Sequence, residues 1–565
     1  MPVVKLQREI ERVLGEMGVE GQVPAALERP RNPDHGDWAT AVALTLAKPL
    51  RRAPRQIAEE LAGRIDLAQA GIVSAEVAGP GFINFRLAGD YLQAGLARIL
   101  AEGERFGRGD AGRGQAVCVE FVSANPTGPL HIGHGRQAAL GDAVTELLAW
   151  AGWTAHREFY YNDAGEQIAR LTRSVWTRYQ ELLGEPVEFP EDGYHGGYIA
   201  DIAAEFRAEH GDGLRGDASD AAMDAVRVFA VQRLRAEQNR DLDELRVHFD
   251  EFFLESSLYT SGKVEETIRR LRETGYVYEK DGAVWLRTTE FGDDKDRVMV
   301  KSTGHPTYFL PDVAYHLGKW DRGYHRAINV QGADHPGTVA RVRAGVRALG
   351  LPEGYPEYVL HQMVTVMRGG VEVKFSKRAG SYVTLRDLFE EVGVDVTRWF
   401  FLMRRAEAQL TFDLDLALDQ SDKNPVYKVQ YAHARMCSIF RRAGVEGQAV
   451  EAGAADLSLL AHETEAELAK LLLRFPDEVA SAAEAHTPHS VCAYLEEVAG
   501  AVNSWYHAGN RDAGLRVIGV AEPLSRARLV LTRAVQLVLR NGLTLLGITA
   551  PERMERGEAE ADAAA

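Results

Sequence analysis

The sequence predicts an α/β protein: a parallel-sheet domain with a helical insertion, a small α+β domain before it and an all-α region after it. The run "QAVCVEFVSA" (115–124) is rich in Val and Phe and ends at a turn, which is typical of a buried strand. From Leu140 onward, apolar residues recur at i, i+3, i+4, i+7 and i+8, which indicates one face of a helix. "TAHREFYYND" (154–163) predicts the next strand. Strand, turn, helix and strand in this order form the core unit of a parallel sheet.

The first part of the chain, residues 1–107, is predicted to be a separate small domain. It contains the helix "PRQIAEELAGRI" and the strand–turn–strand segment "VSAEVAGPGFINFRL". The Gly- and Arg-rich stretch "GERFGRGDAGRGQ" (103–115) is typical of a linker. These features separate the small domain from the sheet that follows.

The sheet domain is predicted to span residues 108–390, with a mostly helical insertion at about 165–280. Arg368, Gly369 and Gly370 predict a hairpin that leads into "VEVKFSKR".

Beyond the sheet domain, residues 391–554 are predicted to be nearly all helix. The low-complexity acidic end "ERGEAEADAAA" (555–565) is predicted to be disordered.

Composition places the chain among soluble proteins, with 45% hydrophobic and 26% charged residues over 565 positions. No apolar run approaches the length of a membrane span, and the amino-terminal stretch lacks a signal-peptide layout. Three widely separated cysteines fit a reducing cytoplasm, so we expect a cytoplasmic protein. The net charge of −17 does not exclude nucleic acid, because binding depends on the local potential.

The segment "SANPTGPLHIGHGRQ" (123–137) places His131 and His134 where the predicted helix begins. Free N–H groups and the helix dipole favour phosphate there, and imidazoles add donors. Gly133 and Gly135 are small, so we expect a ligand to approach the backbone closely. A histidine at a helix start is also a common cap, and that alternative stays open. The surroundings supply no further Cys or His at metal-ligand spacing, so no metal site is predicted.

These residues carry a family resemblance. "HIGH" after a strand and a Pro/Gly turn is similar to the first motif of class I aminoacyl-tRNA synthetases, and "KFSKR" (374–378) matches their second motif. "GDWATAVALTLAK" and "GPGFINFRL" resemble the amino-terminal domain of bacterial-type arginyl-tRNA synthetases, which contacts the tRNA. "LLGITAPERM" is similar to the end of that family's helical anticodon-binding domain. The resemblance implies a Rossmann-like catalytic domain between the two.

The resemblance also assigns roles to residues of the two motifs. Catalysis is assigned to two histidines and two lysines: His131, His134, Lys374 and Lys377. ATP binding is assigned to overlapping positions of the same motifs: His131, Gly133, His134, Ser376 and Lys377.

An arginine-binding site needs a carboxylate for the guanidinium fork and a second acceptor nearby. Tyr308 and Asp312 lie four residues apart, on one face if helical, and match the family's Tyr-x-x-x-Asp motif. The alternative is a Tyr–Asp hydrogen bond that caps the helix. The resemblance extends the arginine-binding set to Glu120, Ser123, Asn125, His134 and Gln331.

The predicted helix 424–442 carries Tyr427, Tyr431 and Arg435 on one face, a pattern that can stack unpaired bases. Packing of the two tyrosines against neighbouring helices is the alternative. Through the resemblance we expect these residues to contact tRNA.

The resemblance implies an arginine–tRNA ligase that uses ATP with Mg²⁺, L-arginine and tRNA(Arg), and releases AMP and diphosphate. We expect a monomer with no membrane association. Two other classes stay open: an adenylyltransferase that acts on a small molecule without tRNA, and a catalytically inactive RNA-binding paralogue. A requirement for tRNA, and exchange of pyrophosphate into ATP, distinguish them.

Overall fold

The computed structural model describes residues 2–19, 27–28, 30, 35–87, 89–163, 165–333, 336–373 and 382–554. The predicted disordered tail 555–565 lies outside these residues. Within them, no helix is long and apolar enough to cross a membrane.

The chain forms two compact units that each combine several segments. One comprises Met1–Gly103, Ile439–Leu473 and Ala501–Leu537. The other comprises Glu104–Ser438, Arg474–Gly500 and Val538–Ala565. The proposed division along the chain at residues 107 and 390 stays a prediction.

The amino-terminal part is an antiparallel sheet with helices packed on it. Its sheet has the strand order β1-β2-β4-β3, and apolar residues of the first helix, such as Leu6, Ile10 and Val13, pack into its core together with Ile83 and Phe85. Its elements are α1 (Pro2–Glu16), β1 (Leu27–Glu28), β2 (Trp38–Thr40), α2 (Val42–Leu50), α3 (Pro54–Arg64), α4 (Leu67–Ala70), β3 (Ile72–Ala78), β4 (Phe82–Leu87) and α5 (Gly89–Glu102).

A five-stranded parallel sheet forms the centre of the second unit, with the order β12-β11-β5-β6-β7. The chain runs from β5 to β6 and β7 on one side and later returns to β11 on the other. The end of β5 is therefore the switch point of the sheet, where ligands of such folds bind. The first elements of this unit are β5 (Ala116–Glu120), α6 (Ile132–Trp150), β6 (Thr154–Tyr161), α7 (Glu166–Leu182), α8 (Gly197–His210), α9 (Asp220–Glu244), β7 (Glu251–Leu254), α10 (Glu255–Thr260) and α11 (Lys263–Glu273).

Three helices of the predicted insertion, α7, α8 and α9, pack on one another through a shared apolar core that includes Leu171, Phe206 and Leu234. Within the same predicted range, Glu251–Leu254 forms β7, the edge strand of the central sheet. A strand of four residues is too short for a periodic signal, which explains why the sequence pattern does not reveal it.

Two smaller sheets follow, with the orders β10-β9-β8 and β14-β13-β15. β13 and β14 form the predicted hairpin, and Gly369 and Gly370 both have the positive φ that its tight turn requires. The elements here are β8 (Val277–Lys280), β9 (Ala283–Leu286), β10 (Arg297–Val300), α12 (Phe309–Asp321), β11 (Ala327–Gly332), α13 (Pro336–Ala348), β12 (Glu357–His361), β13 (Val364–Arg368), β14 (Val371–Glu372), α14 (Leu385–Val392), α15 (Val394–Leu402), β15 (Leu410–Asp413) and α16 (Leu414–Leu418).

The rest of the chain is helical, as the sequence predicts. Its helices are α17 (Pro425–Ala443), α18 (Glu463–Leu472), α19 (Phe475–Ala485), α20 (Pro488–Arg511) and α21 (Glu522–Leu545). The predicted fold class, an α/β protein with a parallel sheet, a small amino-terminal domain and a helical carboxyl-terminal region, is confirmed.

A fully buried arginine joins the helical end of the chain to α6. Arg398 donates to Asp142 of α6 at 2.6 Å, to the Leu245 carbonyl at 2.6 Å and to the Leu546 carbonyl at 2.9 Å. Three differently placed acceptors therefore occupy all three nitrogens of one guanidinium, which fixes the segment after α21 beside the helix that begins with the "HIGH" motif.

Candidate active site

The backbone turns sharply where β5 ends. Val122 has a φ of 67° and Ser123 a φ of 41°, a left-handed conformation that non-glycine residues adopt only at a cost. Ser123 Oγ donates to Glu120 Oε1 at 3.0 Å and accepts the Tyr160 N–H at 3.2 Å. These two bonds hold the turn that follows β5 against strand β6.

His131 caps helix α6. Its Nδ1 accepts the Gly133 N–H at 3.0 Å and the His134 N–H at 3.2 Å. In return, His134 Nδ1 accepts the His131 N–H at 3.4 Å, and the two rings stack with centroids 3.6 Å apart. The alternative that the histidine is a cap is therefore realised, and two backbone donors expected to be free for phosphate are already paired.

The cap determines what these histidines offer a ligand. An Nδ1 that accepts an N–H carries no proton, so in each neutral ring the proton is on Nε2. Burial lowers the pKa of His131, and burial together with the neighbouring His131 and His361 lowers the pKa of His134 to about 3. Both rings are therefore neutral at pH 7, with one Nε2–H each left to donate.

The two glycines of the motif have structural reasons that differ from the expected one. A Cβ on Gly133 would lie 2.9 Å from Cε1 of His131, so glycine there makes room for the capping ring. A Cβ on Gly135 would lie 2.6 Å from Leu385 and 2.9 Å from Phe401. Glycine at both positions therefore has a reason in internal packing, and the approach of a ligand to the backbone stays a prediction.

A buried charge network lies beneath the end of β5. Lys319 is fully buried and donates to Glu120 Oε2 at 2.7 Å and to Asn329 Oδ1 at 3.2 Å. Burial acts to lower the pKa of Lys319, but the neighbouring Glu120, Cys118 and Glu158 outweigh it and raise the pKa. Lys319 therefore compensates the Glu120 carboxyl group on one side.

Asp312 lies in the first turn of α12, in acidic surroundings. Burial, then the charges of Glu255 and Glu120, raise its pKa to about 7, against the opposing charge of Arg341. Burial also raises the pKa of Glu255, which is hydrogen-bonded to Tyr160. Carboxylates crowded in this way favour a bound cation.

Tyr308 occupies the N-cap position of α12 and is 79% exposed. It makes no side-chain cap hydrogen bond, and no hydrogen bond joins the Tyr308 and Asp312 side chains, both of which the structure describes. The capping alternative for this pair is therefore not realised.

The remaining predicted residues lie at the same edge of the sheet. Asn125 Nδ2 donates to Gln167 Oε1 at 2.6 Å. Gln331 is near the end of β11, and its buried Nε2 finds no acceptor among the described residues. A buried donor without a partner is costly and suits an acceptor supplied by a ligand.

Lys374, Ser376 and Lys377 lie outside the described residues. The described chain resumes at Tyr382, beside the "HIGH" motif: Leu385 N–H donates to the Leu130 carbonyl at 2.8 Å and Ile132 N–H to the Val383 carbonyl at 3.3 Å. The two motifs are thus joined by backbone pairing directly after the second one.

Comparison with known proteins gives matches along nearly the whole chain. Three family models match: "Arginyl tRNA synthetase N terminal domain" at 4–87, "tRNA synthetases class I (R), catalytic domain" at 95–400 and "DALR anticodon binding domain" at 429–554. An arginine–tRNA ligase of Geobacter metallireducens is 53% identical over 558 residues, which cover 96% of this chain and 98% of that relative. The chain belongs to the arginyl-tRNA synthetases.

Two further members support this placement in the arginyl-tRNA synthetase family. An arginine–tRNA ligase of Methylibium petroleiphilum is 50% identical over 570 residues, covering 98% of this chain and 100% of that relative. A solved arginyl-tRNA synthetase of Thermus thermophilus superposes with a TM-score of 0.77 at 26% identity, covering 97% of this chain and 99% of that chain.

The predicted tRNA-contacting residues lie on α17, at the start of the family's anticodon-binding region. The rings of Tyr427 and Tyr431 stack at 5.9 Å, and the Arg435 guanidinium lies 4.6 Å from the Tyr431 ring centre. Tyr427 is 9% exposed and Tyr431 is half-buried. Tyr427 therefore packs inside the protein, as the alternative held, while Tyr431 and Arg435 reach the surface.

Among the described residues, one group of possible metal ligands brings ligand atoms of His156, Glu158 and Glu251 within 4.8 Å of one another. Arg322 Nη1 donates to Glu158 at 2.6 Å and to Glu251 at 2.7 Å. The guanidinium already supplies the positive charge between these carboxylates.

Sequence reasoning missed Lys319, Glu255 and Tyr160. Glu255 follows β7, a strand too short to recognise. Lys319 lies in the last turn of α12, where a lysine is an ordinary residue. The signal for Lys319 was its position on α12 seven residues after Asp312, which places both on one helix face.

We expect Asp312 to make stability depend on pH in this member of the family. The folded pKa of about 7 exceeds the ordinary value of 3.8, so the unfolded chain loses its proton first. Stability should fall as pH rises from about 4 to 7 and then level off. Asp312→Asn lacks this penalty, so its melting temperature should gain on that of the unmodified protein across the same interval.

Glu255→Gln provides the matched comparison. Removing its charge should lower the pKa of Asp312 and move the transition to lower pH. A melting-temperature difference between Asp312→Asn and the unmodified protein that does not change from pH 4 to 8 would contradict the assignment.

Proposed function

We propose that this protein is an arginine–tRNA ligase, which activates L-arginine with ATP and transfers the arginyl group to the 3′ end of tRNA(Arg). The observation that carries the proposal is the meeting of two opposite environments at the end of β5. The Nε2–H groups of two neutral imidazoles stand at the start of α6, and the carboxyl groups of Glu120, Glu255 and Asp312 form an acidic cluster. The start of α6 suits a triphosphate, and the acidic cluster suits a guanidinium.

In this proposal, the Nε2–H groups of His131 and His134 donate to phosphate oxygens of ATP. Because the rings are neutral, they act as directional donors to the charge that develops in the transition state. Gly133 contributes by leaving space for the His131 ring. Lys377, supported by Lys374, is assigned to the β- and γ-phosphates, and Ser376 is assigned to ATP binding.

Mg²⁺ accompanies the nucleotide. The start of α6 offers N–H donors instead of carboxylate oxygens, so the phosphates and water supply most of the ligands that this ion prefers. We assign no protein ligand to it.

The arginine side chain is assigned to the acidic cluster of Glu120, Glu255 and Asp312. Asp312 pairs with the guanidinium fork, and Glu255 lies near enough to raise its pKa, so binding of the cation relieves the mutual repulsion of the two carboxylates. Glu120 is held by Lys319 and contributes through its hydrogen bond to Ser123. Tyr308, whose side chain is exposed at the start of α12, is assigned to the arginine side chain as well.

The backbone groups of arginine are assigned to the polar residues around the turn. Ser123, Asn125 and His134 are assigned to the carboxylate and ammonium groups, and Gln331 offers a buried donor that has no partner among the described residues. A site built for a particular polar group rejects analogues that lack it by roughly four to five decades, so lysine needs no separate editing step.

The reaction has two steps. The arginine carboxylate attacks the α-phosphate of ATP, which forms arginyl-adenylate and releases pyrophosphate. The 2′-hydroxyl of the terminal ribose of tRNA then attacks the arginyl carbonyl and releases AMP. Both steps depend mainly on positioning and charge stabilisation.

The other parts of the chain are assigned to tRNA. Residues 1–107 contact the tRNA body, and residues 391–554 bind the anticodon through the exposed part of α17, with Tyr431 and Arg435 as the stacking groups and Tyr427 supporting them from inside. The protein acts in the cytoplasm as a monomer.

The function is tested by pyrophosphate exchange into ATP and by tRNA charging, with each of the twenty amino acids. Arginine alone should support both reactions, and exchange should require tRNA(Arg), because the family activates arginine only with tRNA bound. Exchange without tRNA would favour a small-molecule adenylyltransferase. Absence of exchange under all conditions would favour an inactive RNA-binding protein.

Asp312→Asn tests the residue-level assignment. The asparagine side chain replaces a carboxylate oxygen with an N–H that faces the guanidinium, and one-sided loss of a buried charge pair costs about 3–5 kcal/mol. Arginine affinity, measured by calorimetry, should fall by about two to four decades, while ATP affinity changes little.

Asp243→Asn is the control for loss of a negative charge, because the Asp243 side chain is 67% exposed on α9. It should leave arginine affinity unchanged. Near-normal arginine binding by Asp312→Asn would refute the pairing.

A further inference from the structure

The turn between β5 and α6 is held by side chains from the helical insertion. Residues 125–129 contain Pro126 and Pro129, which lack N–H groups, so the turn has few donors with which to stabilise itself. Its polar groups are instead bonded by side chains from outside.

Each of the helices α7, α8 and α9 contributes one side chain to this turn. Gln167 of α7 accepts from the Asn125 side chain at 2.6 Å. Tyr198 of α8 donates its hydroxyl to the Thr127 carbonyl at 2.9 Å. Gln238 of α9 bonds two carbonyls of the turn.

The Gln238 amide is the most buried of these contacts, with the residue 1% exposed. Its Nε2 donates to the Gly128 carbonyl at 2.9 Å and to the Asn125 carbonyl at 3.2 Å. Both amide hydrogens are therefore used on carbonyls three residues apart, which fixes the curvature of the turn between them.

A further donor comes from the chain directly after the second motif. Tyr382 donates its hydroxyl to the Pro129 carbonyl at 3.2 Å. A Cβ on Gly128 would lie 3.2 Å from both the Tyr198 and the Tyr382 hydroxyl oxygens, so the two hydroxyls meet over this glycine. Side chains from the insertion and from the chain directly after the second motif therefore bond the turn at the same place, around Gly128.

We propose that Tyr198, Gln238 and Tyr382 are positioning residues for adenylate formation, and that the insertion helices α7–α9 serve to set the turn that precedes the "HIGH" motif. This inference rests on the proposed function. Asn125 is the first residue of the turn, and His131 lies two residues after its last residue, Pro129. A displaced turn would therefore move groups that are assigned to both substrates. A shift of about 1 Å can cost about a hundredfold in rate without loss of the fold.

Tyrosine-to-phenylalanine variants test the proposal because they remove one hydroxyl and keep the ring. Tyr198→Phe and Tyr382→Phe are compared with Tyr179→Phe. Tyr179 is a buried tyrosine of α7 whose hydroxyl donates to the Gly211 carbonyl at 2.8 Å, a bond of the same kind within the insertion and remote from the turn. All three variants lose one tyrosine–carbonyl bond.

The readouts are kcat and KM for arginine in tRNA-supported pyrophosphate exchange, together with the melting temperature. A lost neutral hydrogen bond at the site should lower kcat about threefold to tenfold in Tyr198→Phe and in Tyr382→Phe, with KM for arginine changed less than about twofold. The melting temperature should fall by a similar amount in all three variants. Tyr179→Phe should leave kcat unchanged. The double variant should lose less than the product of the single effects, because both hydroxyls hold the same turn.

Equal kcat values for Tyr198→Phe and Tyr179→Phe would overturn the inference and assign these bonds to stability alone. Failure of the proposed function has a different signature, since the unmodified protein would then show no arginine-dependent exchange. Gln238→Leu adds an independent arm: it removes both amide donors, and an unchanged kcat in a folded variant would likewise overturn the inference.

Discussion

The active-site geometry depends on one interaction, the acceptance of two backbone N–H groups by Nδ1 of His131. This bond starts helix α6 and determines which ring nitrogen carries the proton. It also requires glycine at position 133, where any side chain would strike the ring. The stacked His134 completes the cap from the other direction. In the proposed function, the structural cap and the pair of ligand donors are the same two side chains, used at opposite ring nitrogens.

The second feature of the site is the separation of charge on the two sides of β5. At the start of α6, burial keeps both imidazoles neutral, so they offer donors with no net charge. Around α12, Lys319 compensates Glu120, while Asp312 and Glu255 stay crowded and protonate easily. A buried lysine that faces one carboxylate leaves the others as the groups that need a cation. In the proposed function, this asymmetry lets one edge of the sheet hold a polyanion and a guanidinium together.

The parts of the fold with strong local signals were predictable. The unit β5–α6–β6, the glycine hairpin of β13 and β14 and the long helix α17 follow from apolar periodicity and turn chemistry. The site was predictable only as a set of residues near one sheet edge. Lys319 and Glu255 were missed because their importance comes from neighbours distant in the chain. The replacement of free helix-start donors by the His131 cap depends on a ring orientation that residue types do not specify.

The insertion shows the same limit. The sequence predicts this range as mostly helical, but no periodic pattern indicates that Gln167, Tyr198 and Gln238 all bond to one turn. The positions of these side chains follow from how three helices pack, which is a tertiary property. The proposed role of these helices therefore depends on contacts with a turn that lies more than 40 residues away in the sequence.

The account is tested most directly by the protonation of the two motif histidines. Protein labelled with ¹⁵N-histidine would be studied by long-range ¹⁵N–¹H correlation at pH 7, with His131→Gln and His134→Gln used to assign the signals. We expect both rings to be neutral, with unprotonated Nδ1 and protonated Nε2, and we expect His134 to stay neutral well below pH 6. An Nδ1–H tautomer or a doubly protonated ring at pH 7 in either residue would contradict it.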